Sequence, residues 1–339
     1  MSAFPDAVHS AWHMVALSRQ VLPGKTLPAV LMDTPLALFR DGSGQVGALV
    51  DRCPHRNFPL SLGKVRQGAI ECPYHGWRFA ADGTCVDVPG CQLAPGDGQR
   101  LAASALRVAE RHGAVFVALS PHAPAEPWLP PDFGNPALDH FWWQQGTWAG
   151  RAFDAIENVM DPFHTGHLHH GFIRRHDRRH DVQLVVQSHG DSLAMTIHQS
   201  APDHGLMSRF LERERTHSVS TYYPPTTVQA RWEGERRLTL CVTAIFTPAT
   251  AGSFTPFARF STPKGLAPAW LKQAAIRLFL DPVVAQDRRA LEQQHGVMQH
   301  FGHPRFATGP GDLLGDRLHR LWKGERLPPG SDDPVPARL

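Results

Sequence analysis

The chain has 339 residues, which at roughly 150 residues per domain gives about two domains with their own cores and excludes a small disulfide-stapled fold. Charge is nearly balanced, 34 Lys and Arg against 31 Asp and Glu, so no field points to nucleic acid, and no apolar run approaches the roughly 18–20 residues that cross a bilayer. Against this background stand 21 histidines and five cysteines.

No basic stretch followed by an apolar core opens the chain, so no secretory or transit segment is expected. Cys53, Cys72, Cys85, Cys91 and Cys241 are odd in number and unevenly spaced. That favours a reduced, cytoplasmic setting over a disulfide framework. Residues 12–120 alternate short apolar stretches with turn signals such as Asp41-Gly42-Ser43-Gly44 and Asp82-Gly83, which predicts an all-β unit. A proline-rich bridge through Pro121, Pro124, Pro127, Pro130, Pro131 and Pro136 predicts extended chain and a domain boundary near residue 125. The domains are thus 1–125 and 126–339.

In the second domain, Phe153, Ile156, Val159 and Met160 have helical spacing, and a helix is expected over residues 152–170, with Pro162 and Gly166 arguing against its being regular throughout. Residues 182–260 alternate in the manner of antiparallel strands, and residues 270–280 and 283–301 return to helical spacing. The Gly- and Pro-rich last 30 or so residues are expected to form an extended tail. The fold class is therefore α+β, an all-β N-terminal domain followed by an antiparallel sheet with flanking helices.

Two clusters carry chemistry. Cys53-Pro54-His55-Arg56 and Cys72-Pro73-Tyr74-His75-Gly76-Trp77 each offer one thiolate and one imidazole on a short loop. Two Cys and two His could hold a tetrahedral zinc. A β-rich setting without a recognition helix, and loop tips built from Pro54, Pro73 and Gly76 that can approach one cluster from one side, favour a [2Fe-2S] centre ligated by two cysteines and two histidines. The second cluster spans residues 157–170 and includes Asn158, Asp161, His164, His167, His169 and His170. A divalent metal is one way to hold so many imidazoles together. Helical periodicity alone pairs His164 with His167, because His164 and His169 diverge by about 140° on a regular helix.

Together these motifs resemble those of the Rieske non-heme iron oxygenases, and the resemblance extends over nearly the whole chain. It implies a Rieske domain followed by a helix-grip catalytic domain. Cys53 and Cys72 would bind one iron of the cluster, and His55 and His75 the other. The family pattern Asn-x-x-Asp-x-x-His, with a second His five residues on, selects His164 and His169 as ligands of a mononuclear Fe(II). An Asp before Glu-x-Gln selects Asp287 as the third, while His167 and His170 remain alternatives to His169. Asp161 would bridge His75 of one chain and His164 of the next, which implies a head-to-tail homotrimer with electrons crossing between subunits. Asn158 matches a family residue near the iron.

The resemblance further implies a terminal oxygenase that uses dioxygen, and electrons from a separate NAD(P)H-dependent reductase, directly or via a ferredoxin, to hydroxylate or O- or N-demethylate a small aromatic substrate. Alternatives are cis-dihydroxylation, desaturation, or a Rieske electron-transfer or redox-sensing protein. The short chain favours the demethylase branch.

Several other residues read more plainly. Asp281 before Pro282 reads as a helix cap, and Cys85, Cys91 and Cys241 as buried small hydrophobes. Trp142, Trp143 and Trp148 read as core. His176, His180, His189, His198, His204 and His217 read as solvated. The basic run at residues 174–180 reads as solvated surface or a docking face for an acidic ferredoxin-like partner. Phe163, Leu168, Phe172, Phe210, Tyr222, Tyr223, Trp232 and Phe246 are candidate pocket walls.

Overall fold

The structure is a computed structural model that describes residues 4–174, 179–199, 215–234, 238–265 and 267–339. His176, His204 and Phe210 lie outside the described residues, as do Arg175, Asp177 and Arg178 of the basic run. The chain divides into two compact units, His9–Trp128 with Thr247–Ala251, and Leu129–Phe246 with Gly252–Leu339 and the N-terminal residues up to Val8. A single cut near residue 125 therefore misses two segments. Val8 is fully buried and Ala7 lies against Gly324, which attaches the N-terminal turn to the second unit. Residues 247–251 join the first unit, where Pro248 and Ala249 carbonyls accept from Met32 N and Asp33 N at 2.9 and 2.8 Å.

The first unit is all-β apart from short helical turns, as its alternation of apolar stretches and turns predicts. It holds two three-stranded sheets and a four-stranded sheet, all antiparallel. The four-stranded sheet, Lys64–Arg66, Ala69–Glu71, Arg78–Phe79 and Cys85–Asp87, carries the second Cys/His loop between its two central strands. Phe39, Leu49, Leu60, Ile70 and Phe79 form the core beneath it, and Cys53, Cys72 and Cys85 belong to that core. Cys241 is also buried, but Cys91 is exposed.

The second unit is built on an antiparallel sheet of ten strands among the described residues. The expected strands lie within Asp181–Ser188, Leu193–Gln199, Arg215–Tyr223, Thr227–Gly234, Leu238–Thr250 and Ser253–Pro263. Strands of this unit outside residues 182–260 were not anticipated, and the longest of them lies before the 152–160 helix. Leu138–Gln144 pairs with Ser253–Pro263 because the run Phe141-Trp142-Trp143 is β-prone and buries alternate residues, Phe141 and Trp143. The expected extended tail instead folds into a helix, Gly315–Trp322, followed by two short strands paired with Asp181–Ser188. Leu318, Leu321 and Trp322 give that helix a buried face at i, i+3 and i+4, a signal masked by the Gly and Pro on either side.

The long helix Ala269–Phe301 runs through Pro282 without ending. Asp281 is accordingly not a cap: its carboxylate accepts from Trp143 Nε1 at 2.8 Å, pinning the helix to the sheet where proline weakens its backbone ladder. Lys272 Nζ adds a clamp one end away, donating to Asp139 Oδ2 and Pro263 O at 2.6 and 2.7 Å. Ile276, Val283 and Leu291 mark the helix's buried face. Asp287 falls on that stripe, four residues from each of the last two.

The helix Ala152–Met160 buries Ala152, Ala155, Ile156 and Met160 and stops at Asp161, which is extended, immediately before Pro162. On it, Glu157 is pushed up to about 7, first by burial and then by the carboxylates of Asp154 and Asp312, against the pull of Arg151. The folded chain thus retains a proton that an ordinary glutamate, near 4.5, has released. Stability should fall as pH rises from 4.5 to 7, and Glu157→Gln should flatten that slope when urea midpoints are measured across the window.

Candidate metal centres

The two Cys/His loops of the first unit share one backbone plan. Cys53 N donates to Phe58 O and Cys72 N to Trp77 O, at 2.9 and 2.8 Å, while Asn57 N and Gly76 N return to Cys53 O and Cys72 O at 2.8 and 2.9 Å. The fourth residue after each cysteine has a left-handed backbone, Asn57 at φ 58° and Gly76 at φ 74°. Such a turn suits Gly or Asn. At Gly76 there is a second constraint, because a Cβ would come within 2.8 Å of Pro89 Cγ.

Both cysteines are buried and free, whereas His75 is exposed and His55 half-buried. The imidazoles lie together, with ring centres 4.5 Å apart, and His55 stacks on Trp77 at 4.5 Å. Burial first, and then the neighbouring Cys72, push the Cys53 thiol up to about 11, against the backbone N–H groups of His55 and Arg56, which favour the thiolate. His55 is held low, first by desolvation and then by His75 and Arg56. His55 Nδ1 is buried without a hydrogen-bond partner. Paired inner thiols, outer imidazoles and an unpartnered ring nitrogen fit a cluster with cysteine on one iron and histidine on the other.

The second cluster lies in the second unit. After the break at Asp161-Pro162 comes a single turn, Thr165–Leu168, with His164 at its N-terminal flank and His169 at its C-terminal flank, where the backbone has left helical geometry. A five-residue separation that would splay the rings on a regular helix here brings their centres to 5.1 Å. His164, His169 and Asp287 each present a ligand atom within 4.8 Å of the others. His169 Nε2 is 3.1 Å and His164 Nε2 3.7 Å from Asp287 Oδ1. His167 is exposed and takes Arg179 Nη2 at 2.8 Å, and His170 is exposed, so neither belongs to the group.

The tautomer of His169 follows from its neighbours. Its Nδ1 lies 2.9 Å from Gln286 Oε1, and an amide oxygen can only accept. The proton therefore sits on Nδ1, leaving the Nε2 lone pair directed at the group. Burial alone would lower the His169 imidazolium, but Asp287 and Gln286 outweigh it and the net direction is upward. Asn158 Nδ2 donates to Asp287 Oδ1 at 3.0 Å. Asp161 is partly exposed: its Oδ1 accepts from Phe163 N at 2.8 Å and its Oδ2 stands 3.7 Å from His164 Nδ1, beyond a hydrogen bond. His164 Nδ1 is buried and unpartnered. Two imidazoles and one carboxylate converging from two elements fit a divalent iron with open positions.

A cavity of about 240 Å³ adjoins these donors, lined by both the sheet and the helices. Trp143, Trp148, Trp232, Phe246, Phe257 and Phe260 line it. Trp143 and Trp148 therefore serve the pocket as well as the core, and Trp232 and Phe246 lie where expected. Phe163, Leu168, Phe172 and the two tyrosines are not among the lining. Phe163 packs on the cluster of Val182, Leu184 and Ile197, and Tyr222 is fully buried with its hydroxyl on Pro225 O.

Arg174 was grouped with the solvated run but is 6% exposed. It lines the cavity and donates to Pro162 O and Thr165 Oγ1 at 3.1 and 2.7 Å, fastening the turn between the two histidines. Neither Arg174 nor Gln286 was legible as a site residue. Gln286 could have been sought as the immediate neighbour of Asp287, but Arg174 was hidden by its basic surroundings.

Residues 11–96 match the Rieske [2Fe-2S] domain, and residues 153–318 the Vanillate O-demethylase oxygenase C-terminal domain. The chain belongs to the Rieske non-heme iron oxygenases. Its cofactors are a Rieske [2Fe-2S] cluster and a mononuclear iron. It is 32% identical to the oxygenase component of dicamba O-demethylase from Stenotrophomonas maltophilia, over 62% of this chain and 61% of that one. It is 38% identical to the oxygenase component of chloroacetanilide N-alkylformylase from Rhizorhabdus wittichii (strain DC-6 / KACC 16600), over 48% and 40%. The alignments thus span less than two thirds of these relatives. The crystal structure of dicamba monooxygenase bound to dicamba superposes with a TM-score of 0.78 at 25% identity, covering 94% of this chain and 97% of the other.

Two outcomes test this geometry. Gly76→Ala should lower the visible absorbance of the cluster, since a Cβ at positive φ costs roughly 1–2 kcal/mol before its clash with Pro89, whereas Asn57→Gly should retain it. Gln286→Leu, which removes the acceptor from His169, should weaken Fe(II) binding at the mononuclear site by about 10- to 100-fold in a chelator competition, with Gln286→Glu restoring most of it.

Proposed function

We propose that the chain is the terminal oxygenase component of a multicomponent system that inserts oxygen into a small aromatic substrate, by hydroxylation or by O- or N-demethylation. The observation that carries this reading is the His164, His169 and Asp287 group opening onto an apolar cavity within the same unit. When bound, the cluster supplies single electrons and the mononuclear iron activates dioxygen. His164, His169 and Asp287 would hold that iron, and Cys53, Cys72, His55 and His75 the cluster.

The remaining groups position and shield. Gln286 keeps the His169 proton on Nδ1, and Asn158 steadies the Asp287 carboxylate. The indole and phenyl walls hold a planar ring beside the donors and keep water away from it. Small size favours a single or fused ring over a sterol: a 150 Å³ apolar cavity already accepts benzene, and this one is about 240 Å³.

Asp161 has one oxygen held by its own backbone and the other partly exposed beside His164. That geometry suits a carboxylate that accepts a hydrogen bond from His75 of a neighbouring subunit in a homotrimer. Naming of the relatives as oxygenase components supports a separate NAD(P)H-dependent reductase, acting directly or through a ferredoxin. Five free cysteines suit a reduced, cytoplasmic location. Among the described residues no helix is long and apolar enough to cross a membrane.

His164→Ala should lower iron from about three to about two per chain while the cluster spectrum persists. Asp161→Asn should keep all the iron yet cut turnover by about 10- to 100-fold. Incubation of aryl methyl ethers and heterocycles with labelled dioxygen and a surrogate reductase should give a product carrying one labelled atom, or formaldehyde with the demethylated ring. A fully iron-loaded protein that consumes no dioxygen with any of them would refute the reading.

A further inference from the structure

The floor of the cavity is written across adjacent strands. Residues directly opposite one another form two rows on its inward face, Met195, Ser220, Ala230 and Val242 in one, and Ile197, Ser218 and Trp232 in the other. All seven line the cavity. Two hydroxyls therefore interrupt a floor that is otherwise apolar, at positions i and i+2 of one strand, where their side chains share a face.

Ser218 is 8% exposed and Ser220 half-buried, and no side-chain hydrogen bond joins either hydroxyl to another of the described residues. Neither oxygen is among the sealed polar atoms that lack a partner, so both stay open to the cavity, where a hydroxyl gives a ligand something to hydrogen-bond that an alanine would not. Most other polar groups of the lining are committed, although Asp161 keeps Oδ2 3.7 Å from His164 Nδ1 with only Oδ1 accepting from Phe163 N. Asn158, His164, His169 and Asp287 converge on the metal group, Thr165 Oγ1 donates to Pro162 O, and Arg174 Nη1 is fastened to the same turn.

We propose that Ser218 and Ser220 form the polar recognition site for the substrate, and that the substrate is an uncharged ring bearing a hydroxyl, ether or amide group that hydrogen-bonds this pair. The inference rests on the oxygenase reading above and narrows its substrate class. A hydroxyl pair is a neutral host. It both donates to and accepts from a phenol, ether or amide, but supplies no positive charge to balance a carboxylate. The one guanidinium of the lining, Arg174, spends its Nη1 on Pro162 O and Thr165 Oγ1, and Asp161 and Asp287 line the same cavity. Meanwhile the rows of Met195, Ile197, Ala230, Trp232 and Val242 grip the ring itself.

The test is anaerobic calorimetric binding to the iron-loaded full chain, with 2-methoxyphenol, methoxybenzene and 2-methoxybenzoate as probes. The wild type should bind 2-methoxyphenol about tenfold or more tighter than methoxybenzene, as a pair of neutral hydrogen bonds allows, and tighter than 2-methoxybenzoate. The double variant Ser218→Ala/Ser220→Ala should lose that advantage while its affinity for methoxybenzene stays within about twofold, a result that also shows the cavity intact. Equal wild-type affinity for phenol and ether, loss of both ligands together in the variant, tighter binding of the carboxylate, or no binding of any probe would each overturn the proposal. Because no turnover is needed, selective phenol binding by a protein that never consumes dioxygen would refute the oxygenase reading and leave the serine pair standing.

Discussion

The catalytic unit is organised around one carboxylate. Asp287 Oδ1 is approached by Asn158 Nδ2 at 3.0 Å, His169 Nε2 at 3.1 Å and His164 Nε2 at 3.7 Å, so three groups from the 152–169 region converge on a single atom of the long helix. A carboxylate on a helix face otherwise buried by Ile276, Val283 and Leu291 is expensive unless neutralised or hydrogen-bonded. A divalent cation held jointly with two neutral imidazoles is an arrangement that compensates it. Much of the surrounding structure acts to keep the two sides of this meeting point in register.

The two histidines come from one turn, and their mutual spacing is set locally. Pro162 ends the preceding helix, Thr165 and Arg174 fasten the chain after it, and His169 lies where the turn unwinds. Asp287, by contrast, arrives from more than a hundred residues away. Its position relative to the histidines depends on how the long helix is held to the sheet, which is the role of Trp143 on Asp281 and Lys272 on Asp139. The charged clamp lies towards the helix N-terminus and the indole clamp beside Pro282, six residues before Asp287, where an otherwise weakened helix has most freedom to bend.

What the sequence made legible follows from this division. The Cys/His loops could be read directly because both members of each loop lie within four residues and the backbone plan is local. His169 could not be read from periodicity, which favours His167, because the helix on which that rule depends ends at Asp161. Only the family pattern identified it. Arg174 was misread because a charged run is ordinarily solvent-facing, and the Gly315–Trp322 helix because flanking Gly and Pro dominate a short window. Gln286, Ser218 and Ser220 carry no signature of their own. Their meaning comes from what stands opposite them, a sheet register or a ring nitrogen, and that is a tertiary fact.

The two metal centres also differ in how each keeps its donors available. In the first unit the thiols are buried in the core with Leu60, Ile70 and Phe79, while the imidazoles lie towards solvent. A cluster there is shielded on its sulfur side and presents His75 outward, the direction in which an electron must arrive or leave. In the second unit the order is reversed. His169 is almost wholly enclosed, and the open direction is the aromatic cavity rather than bulk water. Charge developing there is screened by fixed protein groups instead of by solvent, so the orientation of each amide and ring beside Asp287 matters more than it would at a surface. That difference in exposure gives one chain a centre whose outer imidazole faces the surface and a second whose donors face only an enclosed apolar cavity.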